Sequence, residues 1–176
     1  MSTLIAIDPG MSGGVAWITG GIVGAVRMPE PEDLNTLLFT LSPIRAVYTE
    51  LVPWVLGRRI SPAAVGKLHY QRGVCEGLVM GRGIRLVRVE PKIWQQEFRL
   101  GTRNAAGSYG AWKRKLKTEA TRRFPHLKVT LDTADALLIL EYARSHEAAI
   151  LAGDAIGTGI PENEPLSPKP ATFGSR

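Results

Sequence analysis

Four carboxylates stand out by where they fall in the chain. Asp8 closes the apolar run Leu4 to Ile7 and is followed by Pro9, Gly10, Gly13 and Gly14. Glu50 closes the stretch "IRAVYTE", and Asp132 and Asp135, three residues apart, open "DTADALLIL". Each has an ordinary explanation taken alone. Asp8 before Pro-Gly suits a turn, Asp132 suits a helix N-cap, Asp135 suits the dipole of a first turn, and Glu50 suits a solvated strand end. Together they share one property: each sits at the end of an apolar element, where a sheet fold can focus side chains. Clustered carboxylates repel one another unless a cation neutralises them. Oxygen ligands with no His or Cys beside them select Mg²⁺, with Mn²⁺ as its substitute, over zinc. Two such ions, about 3.5–4 Å apart, clamp a phosphodiester for in-line displacement, one activating water and the other stabilising the leaving oxygen. The glycines after Asp8 would then give a phosphate and its metal room beside the backbone.

The elements that must position these acids follow from pattern. "TLIAI" (3–7), "GGVAWI" (13–18) and "GIVGAVRM" (21–28) are short, rich in branched residues and punctuated by Gly13–Gly14 and Gly20–Gly21. They read as three antiparallel strands joined by tight turns. Residues 32–41 carry helical spacing, and "IRAVYTEL" (44–51) reads as a fourth strand. After an irregular link (53–62), residues 63–81 read as a long helix. Gly66, Gly73 and Gly77 inside it predict close packing, against its own sheet or against a second copy of the chain. "IRLVRVE" (84–90) is a fifth strand, "PKIWQQEF" a short helix, and 101–110 a polar Gly-rich loop. Residues 111–124 form a basic amphipathic helix with Trp112, Leu116, Ala120 and Phe124 on one face. The last helix spans 132–151, so residues 1–152 form one domain, and 153–176 read as a flexible Gly/Pro-rich tail. No internal repeat is present. This is a mixed α/β five-stranded sheet, three antiparallel strands then two parallel, flanked by helices, in the order of the ribonuclease H-like fold. Side-chain alternation puts Leu4, Ala6 and Asp8 on one face, and Ala46, Tyr48 and Glu50 on one face. If the first and fourth strands are neighbours, Asp8 meets Glu50.

The 176 residues carry 22 Lys+Arg against 16 Asp+Glu, a net charge of +6. From Arg99 to Lys128 the basic residues are Arg99, Arg103, Lys113, Arg114, Lys115, Lys117, Arg122, Arg123 and Lys128, against Glu119 as the sole acid. Such a stretch either meets a polyanion, nucleic acid first, or forms a solvated helix face. Cys75 is the only cysteine, which excludes an intramolecular disulfide and a Cys-rich zinc site; its apolar segment makes it a small core residue. His69, His126 and His146 are scattered and read as structural or surface groups. No apolar run reaches the roughly 20 residues of a membrane span, and no signal peptide is recognisable, so a soluble, intracellular protein with no membrane partner is expected.

These residues resemble the RuvC-type Holliday-junction resolvases, especially their shorter phage and organellar branch. The resemblance rests on "IAIDPGMSGGVAWI", "VYTELV", "GKLHYQRGVCEGLVMG", "RVEPKIWQQ" and "DTADALLIL", in order over about residues 3–145. It implies a ribonuclease H-like fold, a homodimer and a two-metal site of Asp8, Glu50, Asp132 and Asp135. It implies paired symmetric nicks across a four-way junction, with 5′-phosphate and 3′-hydroxyl products, in the cytoplasm of a bacterial or phage-infected cell. It also implies a basic residue near the scissile phosphate, for which Lys113 and Lys117 are candidates; both equally suit plain backbone contact. Candidate DNA contacts are Arg58, Arg59, Lys67, Arg72, Arg103, Lys113, Arg114 and Lys117. Trp54 and Tyr70 could stack on opened bases, but core packing is favoured for both.

Other readings share parts of this pattern. A nuclease acting on RNA–DNA hybrids or on branched DNA generally would carry the same acids. A non-catalytic junction-binding protein would be favoured by loss of an acid, and none is missing. An actin-like phosphotransferase also opens on Asp-x-Gly, but needs two such domains.

Overall fold

Branched residues at alternating positions build the sheet, and prolines open the helices against it. The computed structural model describes residues 2–52 and 61–153. Its strands are β1 (Thr3–Asp8), β2 (Gly14–Thr19), β3 (Ile22–Arg27), β4 (Ile44–Glu50) and β5 (Leu86–Val89). Its helices are α1 (Pro31–Thr40), α2 (Pro62–Gly81), α3 (Pro91–Glu97), α4 (Tyr109–Arg123) and α5 (Leu131–Ala152). The sheet order is β3-β2-β1-β4-β5. β1, β2 and β3 pair antiparallel, while β4 joins β1, and β5 joins β4, in parallel. The mixed five-stranded sheet expected from the sequence is the one observed.

The two faces of the sheet carry separate cores. Ile5, Ile7, Val15 and Val47 pack with Leu34 and Leu38 of α1 and with Cys75 and Val79 of α2. Leu4, Ala6, Ala46 and Tyr48 pack with Trp94 and Phe98, with Trp112, Leu116 and Ala120 of α4, and with the buried side of α5. Cys75 is buried, as its apolar context predicts. The period-2 register therefore points Asp8 and Glu50 toward the α5 side.

Several boundaries differ from the sequence reading, each for a local reason. Pro31 and Pro62, placed before the helices by the sequence pattern, stand instead at the first position of α1 and α2, where a missing N–H costs nothing; Pro91 opens α3 as expected. Gly20 and Gly21 do form a tight turn, both at positive φ. Gly13 closes a turn within the longer loop 9–13, its N–H donating to the Gly10 carbonyl at 2.8 Å, while Gly14 already pairs with Asp8 in the ladder. Asp132 is not the N-cap of α5, nor is Asp135 in its first turn. Thr130 caps the helix, its hydroxyl accepting from Thr133 N while the Thr133 hydroxyl accepts from Thr130 N.

The glycines of α2 overturn one packing expectation. Among the described residues, an added Cβ at Gly66, Gly73 or Gly77 would meet nothing within 4 Å, so these glycines do not mediate packing on the sheet. Tyr70, on the same face, is 70% exposed rather than in the core. Residues 154–176, read as a tail, and Trp54, Arg58 and Arg59 lie outside the described residues. Among the described residues no helix is long and apolar enough to cross a membrane.

Candidate functional site

β1 and β4 run parallel with Ile7 opposite Thr49, so Asp8 and Glu50 end neighbouring strands at one edge of the sheet. α5 brings the other two acids. It packs along β1 and β2 through residues such as Ala136, Leu137 and Leu140. Its far end is tied to β4 by the Tyr48 hydroxyl, which donates to Glu147 Oε1 at 2.6 Å, and Glu147 also pairs with Arg45 and Arg85. Its near end slides under the β1–β2 loop because Gly14 has no side chain. A Cβ there would lie 2.7 Å from both the Asp132 and the Val26 carbonyl oxygens. Asp132 and Asp135, three apart on the helix, then line one open cavity of about 800 Å³ with Asp8 and Glu50.

Three of the four carboxylates have a partner of their own there. Asp8 Oδ1 accepts from Gly10 N at 3.1 Å. Glu50 Oε2 accepts from the indole of Trp94 at 3.0 Å, and Trp94 is fully buried. Lys113, from α4, places its Nζ 2.5 Å from Asp135 Oδ2. Asp135 Oδ1 is buried without a hydrogen-bond partner. The charge is costly where it sits. Loss of water around the carboxyl pushes Glu50 up to about 8, with the charges of Asp8 and Asp135 adding to the rise. Burial pushes Asp135 up to about 6, against the pull of Lys113. Asp8 rises too, chiefly by burial. Burial alone would lower Lys113, but Asp135 and Asp8 outweigh it and hold its proton firmly.

The donor set fits a hard divalent cation: four carboxylates from three elements, one oxygen of Asp135 unsatisfied, and mutual repulsion that a cation would relieve. Asp8, Glu50 and Asp135 are nevertheless turned to their own partners. Among the described residues no three His, Cys, Asp or Glu side chains stand close enough to hold an ion. Lys113 supplies the positive charge instead.

The other expected residues divide. Lys67 and Arg114 line the cavity, as does Lys113. Lys117 does not, so of the two lysines it is Lys113 that reaches the acids. Arg72 is not turned outward for DNA. Its Nε bonds Glu76 Oε1 at 2.7 Å and its Nη1 bonds the Val52 carbonyl at 3.1 Å, bracing the chain just past Glu50. Arg103 lies over the Tyr109 ring, 4.7 Å from its centroid. Part of the basic stretch is spent internally: Arg122 and Arg123 pair with Glu119, and Lys115 bonds the Leu100 carbonyl. The histidines stay out of the cavity; His146 is buried against Tyr48 and Tyr142. Clearance for a phosphate does not explain Gly13 either, since a Cβ there would strike the Asp8 carbonyl oxygen at 2.1 Å. Sequence reasoning missed Trp94 as the partner of Glu50; its signal was Pro91-x-x-Trp94 directly after a strand.

No family model and no curated protein matches the sequence. Solved structures do match the fold. The structure of Thermus thermophilus RuvC in complex with a Holliday junction substrate is similar at a TM-score of 0.56 and 15% identity, over 88% of this chain and 98% of that one. A second Thermus thermophilus RuvC structure is similar at a TM-score of 0.53 and 16% identity, over 86% and 97%. The chain thus has the fold of RuvC, with its strands and flanking helices in the same ribonuclease H-like arrangement.

Proposed function

We propose that this chain is a structure-selective DNA endonuclease that resolves four-way junctions by paired nicks. The observation that carries the reading is the convergence of Asp8, Glu50, Asp132, Asp135 and Lys113 on one open cavity. It is supported by a fold shared with a protein solved on a Holliday junction. Asp8, Glu50, Asp132 and Asp135 would hold the divalent ions, Mg²⁺ first. Bound there, such ions supply an activated water and neutralise the leaving 3′-oxygen.

The chain's own residues prepare that chemistry. Trp94 and Gly10 each fix one oxygen of an acid, so the cavity keeps its shape while charge is rearranged. Were Asp135 to ligate a divalent ion, the Lys113 ammonium, which it now holds at 2.5 Å, would be available to face the scissile phosphate. As an ammonium it would act as a fixed positive charge on the developing phosphorane. Lys67 and Arg114 at the rim hold the flanking backbone.

Two-fold dimerisation matches the near two-fold symmetry of a four-way junction. The open glycine face of α2 suits that contact. The test is incubation with labelled four-way, three-way and linear DNA and an RNA–DNA hybrid, with Mg²⁺ or EDTA. Symmetric paired nicks confined to the four-way junction and abolished by EDTA are expected. Cutting of the hybrid, or of all branched DNA alike, would overturn the junction reading.

A further inference from the structure

Glu50 sits where its strand runs out. β4 ends at Glu50, and the charges of Asp8 and Asp135 act against its carboxylate. β1 supports β4 only as far as Thr49, opposite Ile7. β5 supports Glu50 through Val89, and Leu51 N donates to the Val89 carbonyl at 2.8 Å. One residue further, the Val52 carbonyl accepts from Arg72 Nη1 at 3.1 Å, and Val52 is a buried part of the cavity wall.

Arg72 is itself held. Its Nε donates to Glu76 Oε1 at 2.7 Å, one turn further along α2. Arg88 of β5 donates to the same carboxylate, from Nε to Oε1 at 3.1 Å and from Nη2 to Oε2 at 2.7 Å. Arg88 stands opposite Thr49 in the β4–β5 ladder, so the contacts close a ring from Val52 through Arg72, Glu76 and Arg88 back to β4 beside Glu50. Glu76 is only 7% exposed. Burial alone would raise its pKa, but Arg88 and Arg72 outweigh it and hold it below the ordinary carboxylate value. None of the three lines the cavity. Arg88 alternates with Val87 and Val89, whose side chains face α5, so the ring lies on the opposite face of the sheet from the acids.

We propose that Glu76 is a positioning residue for the reaction: through Arg72 and Arg88 it clamps the end of β4 and so holds Glu50 among the other acids. The inference rests on the nuclease reading above and deepens it. Stability alone does not call for such a triad, because apolar side chains of similar volume are often as good or better in a buried place. What the triad adds is direction. A planar guanidinium donates at fixed angles, and here one reaches a single chosen carbonyl two residues past Glu50.

The test uses the full chain in two forms. Arg72→Met cuts the link to Val52 and leaves the Glu76–Arg88 pair intact. Arg72→Met combined with Glu76→Leu and Arg88→Met removes every charge of the triad, so none is left buried alone, and its melting temperature should stay near that of the wild type. The first readout is the Trp94 indole N–H in a nitrogen-15 NMR spectrum of the metal-free protein, identified by its loss in Trp94→Phe. It reports the bond to Glu50 directly. Both variants should move this signal toward that of an unbonded indole. Both should weaken Mn²⁺ binding about tenfold, measured by electron paramagnetic resonance without DNA. Should the triple variant fail to fold, Arg72→Met alone decides. If the indole signal and the Mn²⁺ affinity keep their wild-type values while the wild type nicks junctions, the clamp is wrong and the nuclease reading stands. If the wild type nicks no branched DNA, the nuclease reading fails and a positioning role in the reaction falls with it.

Discussion

Burial works against every charge in the site, and Lys113 and the acids around it offset that cost only in part. The ammonium is retained by Asp135 and Asp8, while Glu50 and Asp135 are pushed toward protonation. Asp8→Asn keeps the oxygen that accepts from Gly10 N but removes a charge from the proposed ligand set. It should reduce cleavage below detection in a gel assay while a mobility-shift assay still shows junction binding; cutting at the wild-type rate would remove Asp8 from the chemistry. Glu50 makes a second, independent prediction. Its folded pKa is raised from 4.5 to about 8, so the folded state binds the proton more tightly than the unfolded one. Stability attached to this group is present below about 4.5 and is lost as pH rises toward and through 8. Glu50→Gln mimics the protonated acid. In EDTA it should raise the melting temperature at pH 8 and change it little at pH 4.5, and Mg²⁺ should shrink the difference by stabilising the wild type. An equal effect at both pH values would show that Glu50 is not under this strain.

At the scale of elements, one glycine sets how closely α5 approaches the hairpin of β1 and β2. Gly14→Ala forces backbone apart at two places, the start of α5 and β3. Overpacking of this kind costs about 1–3 kcal/mol. The variant should lose that much in a denaturant melt and should need more Mg²⁺ for half-maximal cleavage, because Asp132 and Asp135 move away from Asp8. A melt and a Mg²⁺ titration that match the wild type would show that α5 docks without this contact. Cleavage lost with no change in Mg²⁺ requirement would place the defect outside the acids. The opposite end of α5 is pinned by Tyr48 and Glu147, so the helix has little room to absorb the displacement by sliding.

At the scale of the whole molecule, α2 carries a face that no other described residue covers. Among the described residues nothing stands within 4 Å of a Cβ at Gly66, Gly73 or Gly77, and Tyr70 and Met80 beside them are exposed. Paired with the same face of a second copy, the glycines would let two helices approach closely. Sedimentation at micromolar concentration should give a dimer for the wild type and a monomer for Gly73→Glu. A wild-type monomer, or a dimer untouched by Gly73→Glu, would move the interface elsewhere or remove it.

The sequence by itself determined five strands, the faces of their side chains and an acid at the end of each of three elements, because a period-2 pattern ties each side chain to a face and apolar runs mark element ends; that β1 and β4 are neighbours, which brings Asp8 to Glu50, came from the tertiary structure. Only the tertiary structure decided which partners those acids have. Lys113 and Lys117 are equivalent by helical spacing and differ only in where α4 lies against α5. Trp94 meets Glu50 across 44 residues of sequence, and Arg72 turns inward because Glu76 and the end of β4 lie beside it. The glycines after Asp8 looked like clearance for a ligand. At Gly13 and Gly14 they are clearance for the chain itself, since backbone contacts between distant segments leave no mark on local pattern.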